Sequence, residues 1–273
     1  MKFTKILLLV SVGVAGFSSL HAQEKAAFDP NGARAGGLAP PTPIDKMIAL
    51  DSVLGKDAVN WSSVWNKYQL DVNPNDYSDT DVSIPVLLGM RMSDGVLAIK
   101  ARDAEKLNSV ASDIEKLAEK LNVGQGELSR AKKVRLYAGR NEWPRVFLEL
   151  GYLQHDVLRT LKKDSNADRR ALLVAAGWLQ GLNAISNVVN DQYGGPASGL
   201  LREPLLVDAL LADLNKLKPE KKESKQAKLL MEELKKIREW VNVPMRAPVP
   251  KEDVENIARI ASASCKNLRS LAK

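Results

Sequence analysis

Two residue types central to enzyme chemistry are almost missing from this 273-residue chain: it has one cysteine and two histidines. A lone Cys265 excludes an intrachain disulfide framework, so the core must hold the fold without covalent staples. His21 lies in an N-terminal stretch expected to be removed, which leaves His155 as the only histidine of the mature chain. A multi-histidine metal site is then excluded, and any Ser-His-Asp triad would have to use His155. Also missing are a Gly-x-Ser-x-Gly elbow, a His-Glu-x-x-His pair, a phosphate-binding loop and paired cysteines. Neither a metal nor a cofactor is expected. Beyond the N-terminus no stretch reaches the roughly 18 uninterrupted apolar residues of a membrane-spanning helix.

Residues 1–22, MKFTKILLLVSVGVAGFSSLHA, place two lysines before an apolar run and a small residue before Gln23. This is the layout of a secretory signal peptide, and the mature chain is expected to be periplasmic or secreted, in a Gram-negative bacterium. Loss of Lys2 and Lys5 leaves 38 basic against 33 acidic residues, a net charge of +5 rather than +7. The mild excess points to anionic partners. Residues 23–43 read as a flexible leader, because DPNGARAGGLAPPTP, 29–43, has seven Gly or Pro among fifteen positions.

From 44 to 273 apolar residues recur at spacings of three and four, and no stretch alternates as a strand would. The fold class is therefore all-α, an irregular multi-helix bundle of roughly eight to ten helices in a single domain, with a possible subdivision near 124. Helices are predicted near 44–54, 57–69, 84–101, 103–123, 127–139, 144–163, 167–192, 198–217, 221–241 and 251–272. Asp94-Gly95 is expected to kink or break the third, with Arg91, Asp94, Arg102 and Asp103 forming surface ion pairs by default or, alternatively, a small charged pocket. Trp61, Trp65 and Tyr68 share a face and read as core, as does Cys265 beside Val254, Ile257, Ala261 and Leu268.

In 144–163 the 100° step puts Val146, Leu150, Leu153, Val157 and Leu161 on one face and turns His155 away from it. His155 thus reads as a solvated histidine without an orienting partner. The 167–192 helix is apolar nearly all round and is predicted to be central, with Gly177, Gly181 and Ala184 admitting a close neighbour. It also bears a polar stripe, Gln180, Asn183, Asn187, Asn190 and Asp191, whose amides need hydrogen-bond partners or a cavity. That stripe is the candidate ligand site.

The segment RAKKVRLYAGR, 130–140, has five basic residues and no acid. Arg130, Lys132, Lys133, Arg135 and Arg140 are candidates for contact with an anionic partner, or a solvated face balanced by acids elsewhere. The leading functional expectation is an exported, non-enzymatic helical protein that binds an envelope protein or an anionic envelope polymer. The alternatives are a small-ligand-binding bundle with a cleft lined by the amide stripe, and an enzyme of unrecognised type working without histidine. Nucleic acid is not an expected partner of an exported chain.

Overall fold

The computed structural model describes residues 43–55, 57–163 and 167–272. The signal peptide, 1–22, and nearly all of the leader lie outside these residues. Every regular element among them is helical. The order is α1 (Pro43–Leu54), α2 (Trp61–Tyr68), a 3-10 turn (Pro74–Asp76), α3 (Ser83–Ala101), α4 (Ala104–Lys120), α5 (Gln125–Gly139) and α6 (Trp143–Lys163). There follow α7 (Ala167–Asp191), α8 (Gly195–Gly199), α9 (Pro204–Asn215), α10 (Pro219–Lys222), α11 (Lys225–Trp240) and α12 (Lys251–Leu271).

Local chemistry sets these boundaries. Asn60 accepts the Ser63 amide at 3.0 Å and Asp103 accepts that of Lys106 at 3.0 Å, so both act as N-caps. The Asn60 cap starts α2 at Trp61, later than periodicity alone places it. The single helix predicted over 198–217 is two, α8 and α9, because Pro204 has no amide hydrogen and suits only a first turn. Ser224 caps the Ala227 amide, which separates the one-turn α10 from α11. By contrast, Asp94-Gly95 breaks nothing: α3 runs through it, and Ser83 to Ile99 are all buried.

Two helices form the centre. α7 is long and apolar enough to cross a membrane by length and composition, but 83% of that window is buried inside the bundle. α3 packs along it, while α12, α9 and α1 also contact α7 and α4 covers another side of α3. The α5–α6 hairpin lies beyond α4, with α6 also touching both central helices. Val146, Leu150, Leu153, Val157 and Leu161 of α6 are all buried, as the helical phase requires.

The central pair meets at two glycines. A Cβ on Gly89 would overlap the Leu173 carbonyl oxygen, and one on Gly177 would come within 2.8 Å of the Gly89 carbonyl oxygen. The helices therefore touch backbone to backbone, and the Ser93 hydroxyl donates to the Gly177 carbonyl within the same contact. A methyl group there would force the backbones apart rather than reorient a side chain. Gly89→Ala is expected to destabilise the chain by about 3 kcal/mol or more in urea unfolding. Gly151, whose Cβ would meet open space on α6, is the control. There Ala should be neutral or gain up to about 1 kcal/mol from helix propensity. Equal effects at the two positions would refute the close contact.

Candidate functional sites

The amides of the α7 stripe are satisfied mainly from within the bundle. Gln180 Nε2 donates to the Asp94 carboxylate at 2.7 Å and to the Tyr68 carbonyl at 2.8 Å. Asn183 Oδ1 accepts the Ser262 hydroxyl of α12 at 2.7 Å, and Asn187 Nδ2 donates to the Asn183 carbonyl at 2.7 Å and to Ser262 at 3.1 Å. Asn190 is half-buried, and Asp191 is exposed at the end of α7. None of the five lines the cleft described below.

The basic segment on α5 meets acids brought by its neighbours. Arg130 Nε donates to Asp156 at 2.6 Å and its Nη1 to Glu149 at 3.1 Å, while Lys133 stands 3.9 Å from Glu149. Arg135 grips Glu115 of α4 with two bonds, 2.6 and 2.9 Å. Lys132 and Arg140 are exposed and make no ion pair among the described residues. Burial alone pushes the Asp156 carboxyl up, but the Arg130 hydrogen bond and charge outweigh it and hold the group below the ordinary range.

His155 belongs to a different face. Its side chain is 65% exposed, with Nδ1 3.6 Å from an Asp156 oxygen. Arg145, Leu148, Tyr152, His155 and Arg159 follow one another at spacings of three and four, so they share the outward side of α6, and all are exposed. Leu148 and Tyr152 are 53% and 51% exposed, large values for such side chains, and Arg130 lies 4.8 Å over the Tyr152 ring. The acids of this helix, Glu149 and Asp156, sit inward of the stripe. The outward side is thus apolar in the middle and carries an ion-paired arginine at each end, Arg145 with Glu142 at 2.8 Å and Arg159 with Asp156 at 3.3 Å.

A third arrangement surrounds Arg91 and Asp94, far more buried than a surface ion pair. Asp94 is fully buried and accepts the Leu70 amide at 2.8 Å, Arg91 Nη1 at 3.0 Å and Gln180. Arg91 also donates Nε and Nη2 to Asp113 Oδ2 at 3.0 and 2.9 Å and Nη1 to the Leu70 carbonyl at 3.0 Å. The two carboxylates share one guanidinium, which itself lies 5.8 Å over the Trp65 ring. Burial pushes the Asp94 carboxyl above its ordinary range, against the attraction of Arg91 and the bonds from Gln180 and Leu70. Cys265 is buried as well, and burial together with the nearby Asp94 charge raises its thiol, so it is an unreactive core residue.

Arg91 and Trp65 form the floor of a cleft of about 400 Å³ between α4 and the irregular segment after α2. Its α4 wall is Lys106, Ser109, Asp113 and Lys116, and its other wall includes Gln69 and Asp71. Sequence reasoning admitted a small charged pocket near Arg91 but passed over the α4 wall, although Lys106, Ser109, Asp113 and Lys116 do follow at three, four and three. Such a stripe reads as solvent-facing until a chain segment is known to cross it. Among the described residues no group of three or more His, Cys, Asp or Glu is placed to hold a metal ion.

Comparison with protein-family models, with curated proteins and with solved structures returns no match to this chain.

The raised Asp94 carboxyl has a pH signature. A carboxyl that binds its proton more tightly when folded costs stability as pH rises from its unfolded value through its folded one. As pH rises above about 4 the wild type should therefore lose stability relative to Asp94→Asn in urea titrations. A difference independent of pH would contradict the burial-driven shift.

Proposed function

We propose that the chain is an exported, non-enzymatic protein that binds an envelope protein through the outward face of α6. The single observation carrying this reading is the run of exposed side chains Arg145, Leu148, Tyr152, His155 and Arg159 on one side of a well-packed helix. Arginine and tyrosine beside an exposed aliphatic residue are the composition that dominates binding energy at protein interfaces. A partner fitting this face presents an apolar groove for Leu148 and Tyr152 with a polar rim, since the arginines at both ends already have acids beside them. The N-terminal stretch, read as a signal peptide, puts that partner in the periplasm or outside the cell. A protein partner is favoured over an anionic polymer, because Arg130 and Arg135 of α5 are held by Glu149, Asp156 and Glu115. Most of that basic segment is neutralised where a polymer would need it free.

The test uses the tagged mature chain on envelope extract from its own host. A discrete protein retained by wild type should be retained about tenfold less by Leu148→Asp and Tyr152→Ala. Leu205→Ser, at an exposed leucine on α9, should leave retention unchanged. Equal retention by all four proteins would overturn the proposal. So would loss of a self-associated species in light scattering with the same two substitutions, since the face would then join copies of this chain.

A further inference from the structure

We infer that the cleft between α4 and the segment following α2 is a binding site for a short zwitterionic peptide, with a free ammonium at one end and a free carboxylate at the other. At about 400 Å³ the cleft is in the range of small-ligand pockets and exceeds what a single amino acid fills. Its principal recognition elements, Asp113 and Lys116, carry both signs of charge and sit on α4.

The floor is already committed. Arg91 directs Nε and Nη2 to Asp113, and Nη1 to Asp94 and the Leu70 carbonyl, so its donors hold the protein rather than a ligand. Both Arg91 bonds to Asp113 end on Oδ2, leaving Oδ1 for an incoming cation. One turn along α4 stands Lys116, which is exposed and makes no hydrogen bond or ion pair among the described residues. It does not pair with Asp113, although both line the cleft. An ammonium-seeking oxygen and a carboxylate-seeking nitrogen therefore line one cleft without pairing with each other, while Asp71 on the opposite wall is already held by Arg269 at 3.5 Å.

Other ligand classes fit less well. A dianion would lie against the Asp113 carboxylate. A saccharide would want an open aromatic face, but Trp65 is only 5% exposed and its ring is covered by Arg91. Lys106 is partly occupied, by Asp103 at 3.2 Å and the Ser62 hydroxyl at 3.2 Å, which leaves Lys116 as the carboxylate partner.

The experiment is calorimetric titration of the full mature chain with triglycine, with N-acetyl-triglycine, with triglycine amide and, as the two other classes, with maltose and succinate. Triglycine should bind saturably, and blocking either end should weaken binding by about tenfold or more. Lys116→Gln, a surface change with no structural bond to lose, should weaken triglycine by about the same factor without altering the melting temperature. Tyr152→Ala on α6 should leave peptide binding intact, which separates this site from the partner face. The inference is overturned if triglycine does not bind, if the blocked peptides bind equally well, if Lys116→Gln has no effect, or if maltose or succinate binds in place of the peptide.

Discussion

The backbone contact between Gly89 and Gly177 is the constraint on which the rest of this structure depends. Without side chains at the crossing, α3 and α7 come close enough for the Ser93 hydroxyl to reach a main-chain carbonyl across the interface. Glycine in a helix interior is intrinsically unfavourable by up to about 1 kcal/mol, and here the close approach of two buried helices offsets it. Further helices pack on this pair, with α4 on α3 and α12 on α7. In a chain with one cysteine, the packing of that pair takes the place of disulfides.

A second, polar constraint holds the irregular stretch after α2 against the pair. The Tyr68 carbonyl, the Leu70 amide and the Leu70 carbonyl are taken up by Gln180, Asp94 and Arg91 respectively. Three helices and a loop thus share one buried network in which each member satisfies another. A network of this kind adds less stability than an equally packed apolar core would, but it fixes one arrangement of the loop. That arrangement shapes the cleft beside α4. Elsewhere Lys46 and Glu203 form a comparable pair, joined by the Trp178 indole at 3.1 Å, and burial lowers the lysine against the attraction of its partner.

Much of this was legible in the sequence wherever the signal was local or periodic. The all-helical class, the buried face of α6 and the central place of α7 follow from the spacing of apolar residues, and Asp103 was recognisable as a cap. What was not legible depended on partners distant in the chain. Asp94-Gly95 looks like a helix breaker, yet Asp94 is satisfied by Leu70 and Gln180, and a Cβ on Gly95 would press on Leu150 at 3.1 Å. The basic segment of α5 could be read as a face balanced by acids elsewhere, but not which acids, because those of Arg130 and Arg135 lie 19 to 26 residues away on α4 and α6. The stripe on α7 was visible, but not the fact that Ser262 and Asp94 complete its hydrogen bonds. His155 was correctly turned from the core, while its neighbours on that side, Leu148 and Tyr152, went unremarked as a surface.

The account proposed above is a helical scaffold that would bind through the outward face of α6. Its central claim is tested most directly by placing a photo-activatable cross-linking residue at position 152 in the chain expressed in its own host, with position 205 as the comparison. The account predicts a discrete adduct to another protein from 152 and none from 205. The absence of any adduct at 152, or the same adducts from both positions, would contradict it.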